Sequence, residues 1–181
     1  GNIGTSKIII TIDTTPPLIQ IVSPEKAYIN DTTINISWNV SDENLERVEI
    51  RINYGEWITA NGTYYIVNLE DGKYIVEVRA VDIAGHVGKD SVTFIVDTVS
   101  PKVTILEPEN NTMVNVKEVE VKISVVDRTS GVAKILINTG DGWRAIEGET
   151  ISIRLKEGTN TILIKAIDNA GNTETVRLVL R

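Results

Sequence analysis

Tyr74-Ile75-Val76-Glu77-Val78-Arg79-Ala80-Val81-Asp82-Ile83-Ala84-Gly85 decides how this chain is read. Tyr74, Val76, Val78 and Ala80 alternate with Ile75, Glu77, Arg79 and Val81, the period of a strand with one face on a core. The strand then runs into an Asp-x-Ala-Gly turn. That turn returns 86 positions later as Asp168-Asn169-Ala170-Gly171. Trp57 matches Trp143 and Gly72 matches Gly158 at the same offset of 86, Asp42 matches Asp127 at 85, and Pro24 matches Pro108 at 84. Two one-residue loop insertions account for the drift. The chain is therefore a repeat, with units at 14–97 and 98–181.

A further fragment precedes them. Gly1-Asn2-Ile3-Gly4 leads to Ile10-Thr11-Ile12-Asp13 over the twelve positions that separate Gly85 from Asp97. Residues 1–13 thus read as an extra leading strand, matching the last strand of a unit that is not there. Ile8, Ile9, Ile10 and Ile12 make it strongly β-prone, and an unpaired strand seeks an edge. Lys7–Asp13 is expected to be a strand. Its partner is another chain in a strand-donation filament or, as the alternative, an edge of the first unit; otherwise the fragment is a truncation remnant.

The alternation continues throughout. Ile34, Ile36, Trp38 and Val40 face one way and Asn35, Ser37 and Asn39 the other; Val119, Val121, Ile123 and Val125 alternate with Glu118, Glu120, Lys122 and Ser124. Turn formers fall at regular intervals, and no stretch shows a period of 3.6. Strands are expected near 18–22, 33–40, 47–54, 57–60, 64–69, 73–82 and 90–97. The second set is near 103–106, 117–126, 132–138, 143–146, 150–155, 159–168 and 173–181. Seven short strands per unit is the economy of an immunoglobulin-like sandwich. The expected fold is all-β: two tandem seven-stranded sandwiches behind an extra N-terminal strand. Ile19, Ile21, Val103 and Ile105 are expected to point into the two cores, and Trp38 to lie inside.

Bulk properties narrow the function classes. A net charge of −7 and a pI near 4.8 oppose non-specific binding to nucleic acid or anionic membrane. No apolar run is long enough for a membrane span. Cysteine is absent, which excludes thiolate chemistry and zinc sites built on thiolates.

Leu69-Glu70-Asp71-Gly72-Lys73-Tyr74 with the alternation that follows resembles the sixth-strand region of fibronectin type III domains, where a Leu and a Gly precede a corner Tyr. In the second unit Asn160 stands where Tyr74 does. The joint Asp13-Thr14-Thr15-Pro16-Pro17 and the Asp-x-Ala-Gly turn resemble the Ig-like repeats of bacterial and archaeal surface proteins. The resemblance implies a fold and says little about activity, because it rests on turn and core residues.

Catalytic chemistry finds little to work with. The sole histidine, His86, sits beside the Gly85 turn where the second unit has Asn172, and reads as a turn residue. No phosphate-binding glycine loop opens a helix. No catalytic residue, cofactor or metal ligand is assigned. Trp57 and Trp143 occupy equivalent places; they read as covers for the edge of a core, with a sugar-stacking platform as the alternative. At the joints, Asp127 and Asp168 are expected to approach Asp97, and Asp42 and Asp82 to approach Asp13. The bland reading is that these acids hold turns; the alternative is linker calcium.

Five N-x-Ser/Thr sequons stand at Asn30, Asn35, Asn39, Asn61 and Asn110, where chance gives about two. These are the glycosylation candidates. The expected role is a non-enzymatic, extracellular or cell-surface structural or adhesive module, a stalk, envelope or filament component. Its partners are other copies or neighbouring repeats. The alternative is an accessory spacer or carbohydrate-binding region of a larger secreted glycosidase or protease.

Overall fold

The computed structural model describes Gly4, Lys7, Ile8 and residues 12–181. Every regular element among them is a β-strand. Gly4, Lys7, Ile8, Ile12 and Asp13 belong to no strand; the rest of the leading segment, including Ile9–Thr11, lies outside the described residues.

Residues 18–96 form two sheets. The smaller has the order β1 (Leu18–Ser23), β3 (Thr33–Ser41), β6 (Tyr64–Asn68). The larger has the order β2 (Tyr28–Ile29), β8 (Val87–Val96), β7 (Gly72–Asp82), β4 (Leu45–Ile52), β5 (Ile58–Ala60). Residues 102–180 repeat the plan. One sheet runs β9 (Lys102–Glu107), β10 (Glu118–Val126), β13 (Thr150–Arg154); the other runs β15 (Thr173–Leu180), β14 (Asn160–Asp168), β11 (Val132–Asn138), β12 (Trp143–Ile146). The strand orders correspond one to one, with β2 as the single addition. Its two residues pair parallel to Ile95 and Val96 of β8. In the second half a lone parallel bridge, Thr112 to Leu180, occupies the matching place. Tyr28–Ile29 was too short to show a period in the sequence.

Sheet pairing keeps to the repeat limits. Compactness divides the chain elsewhere: Lys26–Ile34, Val67–Tyr74 and Thr93–Arg181 form one unit, and the remainder forms the other. Each residue cluster described below lies within one of these units.

Alternation builds the cores as expected. Ile34, Ile36 and Trp38 of β3 and Val76, Val78 and Ala80 of β7 are all buried. In the second core Val121 and Ile123 from β10 pack with Ile137, Ile162, Ile164 and Leu178. Each such side chain contributes about 1.5–3 kcal/mol. Ile19 and Val103 are buried, whereas Ile21 and Ile105 are only half-buried because the β1–β3 and β9–β10 registers shift beside them.

The corner before the long central strand survives a change of residue. Tyr74 Oη donates to the Glu70 carbonyl at 3.0 Å. Asn160 Nδ2 donates to the Lys156 carbonyl, the same four-residue step, at 2.8 Å. An amide thus does in the second half what a phenol does in the first.

Candidate functional site

The two Asp-x-Ala-Gly turns are the best-defined polar features. Asp82 closes β7 with no exposed surface, and Asp168 closes β14 at 2% exposure. A buried carboxylate needs donors. Asp82 Oδ1 accepts the His86 N–H at 2.8 Å, and Oδ2 lies 2.9 Å from His86 Nδ1. Asp168 Oδ1 accepts the N–H groups of Gly171 at 2.6 Å and Asn172 at 2.8 Å, and Oδ2 accepts Asn172 Nδ2 at 2.9 Å. Gly85 and Gly171 supply the positive φ, 93° and 98°, that closes each turn. His86 and Asn172 therefore fill one structural role with two different side chains. Burial alone would raise the Asp82 carboxyl, but the His86 ring and the N–H donors of His86 and Gly85 bring it below the ordinary range.

The aspartate that precedes each unit joins its turn. Asp97, fully buried, lies with Asp127 and Asp168; one oxygen from each falls within 4.8 Å of the others. Asp97 Oδ1 accepts the Val99 N–H at 3.1 Å and Oδ2 the Ser130 N–H at 3.0 Å. Its carbonyl accepts Asn172 Nδ2 at 2.8 Å. Asp127 Oδ1 gathers the N–H groups of Thr129, Ser130 and Gly131 at 2.6–3.2 Å. The expected approach of Asp127 and Asp168 to Asp97 is thus what the fold produces.

At the first joint the group differs from expectation. Asp13 lies with Asp82 and His86. Asp42 connects to it through Asn44, whose N–H donates to Asp42 Oδ1 at 2.8 Å and whose Nδ2 donates to Asp13 Oδ2 at 2.9 Å. Histidine, read as a plain turn residue, supplies the third member because its ring must satisfy Asp82.

Asp97, Asp127 and Asp168 are the residues that could hold a hard divalent cation. Three carboxylates are about half the six to eight oxygens calcium takes. The first joint offers a ring nitrogen instead, already within bonding distance of Asp82.

Trp57 is no open platform. Its ring is half-buried, and the guanidiniums of Arg51 and Arg79 stand 4.5 and 4.1 Å from its ring centre. Arg51 is bidentate to Glu77 at 2.7 and 3.0 Å, and Arg79 bonds Glu49 at 2.7 Å. The bonded Arg79 holds the Glu49 carboxyl below the ordinary range against burial, and Arg51 does the same for Glu77. So Trp57 caps a ladder of ion pairs on the outer sheet face, not the edge of a core. The β4–β7 register sets Glu49 opposite Arg79 and Arg51 opposite Glu77 and so makes the ladder. Trp143 is 43% exposed, with Lys165 Nζ 5.6 Å from its ring centre.

All five sequon asparagines are exposed. Asn35 and Asn39 lie on β3, Asn30 and Asn61 in turns. Asn110 Oδ1 accepts the Val179 N–H at 2.8 Å, so its amide is already engaged in the fold.

Residues 22–98 match the family model of a bacterial Ig-like domain. Among solved structures the chain is similar to the fibronectin(III)-like modules of CbhA from Clostridium thermocellum. The TM-score is 0.51 at 17% identity, covering 90% of this chain and 93% of that one. It is also similar to the N-terminal eight Ig domains of Down Syndrome Cell Adhesion Molecule, with a TM-score of 0.50 at 13% identity, covering 91% of this chain and 24% of that one. No curated protein matches the sequence. The likenesses establish an Ig-like, fibronectin III-like β-sandwich fold. No helix among the described residues is long and apolar enough to cross a membrane.

Proposed function

We propose that this chain is a non-enzymatic, extracellular structural module, two tandem Ig-like units at 14–97 and 98–181 within a surface stalk or adhesive array. The supporting observation is the repetition of the joint itself. Each unit ends its long central strand in the same buried-aspartate turn, and the aspartate preceding each unit is drawn to that turn: Asp13 with Asp82 and His86, Asp97 with Asp127 and Asp168. Selection on an active site does not require a copied joint; an array of repeats does. Neighbouring repeats of a longer chain, or other copies of it, are the partners this reading implies.

Removing both units in frame from the full-length protein tests it. Immunogold labelling of intact source cells should find the protein outside, with its distal end drawn closer to the cell after the deletion. Labelling only after permeabilisation would refute the reading.

A second reading, the accessory region of a secreted glycosidase or protease, is favoured by one feature, the exposed Trp143. It predicts that the same deletion leaves surface reach unchanged and lowers hydrolysis of an insoluble polysaccharide or protein substrate.

A further inference from the structure

The outer face of the β1–β3–β6 sheet is the least expected surface of the molecule. Its strands read Leu-Ile-Gln-Ile-Val-Ser, Thr-Ile-Asn-Ile-Ser-Trp-Asn-Val-Ser and Tyr-Tyr-Ile-Val-Asn, without one charged residue. The same three strands of the second half carry Lys102, Glu107, Glu118, Glu120, Lys122 and Arg154, all exposed. That charged face is what a sheet turned to water ordinarily shows. The uncharged one instead exposes Leu18 (72%), Val22 (44%), Tyr64 (56%) and Ile66 (57%) on the two strands that flank β3. An uncharged face with exposed apolar side chains on both flanking strands and polar ones between them marks a place that something covers.

The central strand names the occupant. β3 contains Asn35-Ile36-Ser37 and Asn39-Val40-Ser41, two acceptor sequences for N-linked glycan. A strand alternates its side chains, so each asparagine and the hydroxyl residue two positions on share the outer side. Asn35 and Asn39 are exposed, and neither amide makes a hydrogen bond among the described residues, in contrast to Asn110. A third acceptor, Asn61-Gly62-Thr63, immediately precedes β6. The charged counterpart, β10, contains no asparagine.

We propose that Asn35 and Asn39 are N-glycosylated and that the attached glycan covers this face. Nδ2 of the acceptor forms a bond to the anomeric carbon of a polyprenyl-phosphate-linked or polyprenyl-diphosphate-linked sugar. The bond from that carbon to the phosphate oxygen breaks, and the phosphate leaves with the electron pair. One amide proton passes to a base of the host transferase. Asn35 and Asn39 stand about 13 Å apart along the strand. Sugar rings attached there lie between Leu18 and Val22 on one side and Tyr64 and Ile66 on the other, and their apolar faces pack on those side chains. The face has this character whether the units space an adhesin or an enzyme.

The test uses full-length protein isolated from its own organism. Peptides spanning residues 33–41 are mapped by mass spectrometry with a fragmentation method that leaves glycans attached. The expected result is a saccharide mass on Asn35, Asn39 or both in most copies. An Asn35→Gln, Asn39→Gln double variant made in the same host should lose that mass, keep its circular dichroism and thermal midpoint, and bind a hydrophobic dye several-fold more strongly. Unmodified Asn35 and Asn39 overturn the proposal. So does glycan confined to Asn61 or Asn110. A bare face buried in a dimer of this chain would equally overturn it.

Discussion

Removing the Asp168 carboxylate takes an acceptor from three donors: the Gly171 N–H, which keeps the Asp168 carbonyl at 3.3 Å, Asn172 Nδ2, which keeps the Asp97 carbonyl at 2.8 Å, and the Asn172 N–H, which is left stranded. A stranded buried donor costs about 1–3 kcal/mol, but Gly171 is exposed and Asn172 half-buried, so water recovers part of the loss. Asp168→Ala is therefore expected to destabilise by about 1–3 kcal/mol. Asp168→Asn keeps one acceptor oxygen and sets an amide against Asn172 Nδ2; about 1–2 kcal/mol is expected. The opposing effect is repulsion from Asp97 and Asp127, about 3.5 kcal/mol per pair at the widest separation of 4.8 Å in an effective dielectric near 20. Urea unfolding of both variants at neutral pH decides between them. If hydrogen bonding dominates, both variants lose stability, and scans with calcium and with chelator agree. A more stable Asp168→Asn would refute the turn-holding role. Protection of the wild type by calcium beyond about 2.7 kcal/mol would show the cluster to be a cation site.

His86→Asn should cost less than about 1 kcal/mol, because Asn172 performs the same task in the second turn, whereas His86→Ala should cost clearly more; thermal unfolding of the pair measures this. Gly88→Ala should destabilise by about 1–3 kcal/mol or more, since a Cβ there would lie 1.9 Å from the Pro17 carbonyl oxygen, and urea midpoints would show it. Acid should weaken the first half. The carboxyls of Glu49, Glu77 and Asp82 are held below their ordinary values of 4.5, 4.5 and 3.8, so their contribution is present above that range and lost as pH falls through the lower folded values. Unfolding free energy measured from pH 6 to pH 2 should fall, and a flat profile would count against these pairs.

Period and turn chemistry carried most of the fold. The spacing of Asp82–Gly85 and Asp168–Gly171 marked the turns that close β7 and β14, and inward phase placed Ile36, Trp38, Ile123 and Val121. Joint geometry was legible in part: Asp97, Asp127 and Asp168 converge because strand ends and the entering chain meet at one pole of an Ig-like sandwich. His86 reads as a turn residue in the sequence, but the bond of its ring to Asp82 was not legible, because burial of Asp82 is not written in local sequence. The ion-pair ladder on Trp57 depended on cross-strand register, which places Arg51 opposite Glu77 and Glu49 opposite Arg79. Register is a long-range property, invisible to a window of alternating residues. β2 was missed for its length, and its pairing to β8 is likewise non-local.

The tandem-module architecture is tested most directly by Ile123→Ala. Ile123 is 1% exposed in the second core, and its truncation should cost about 2–5 kcal/mol. Amide hydrogen exchange followed by mass spectrometry reads each half separately. Protection of the strands within 102–180 should fall by that amount, while the strands within 18–96 keep theirs. Equal loss of protection in both halves would contradict independent units and make the chain one cooperative domain.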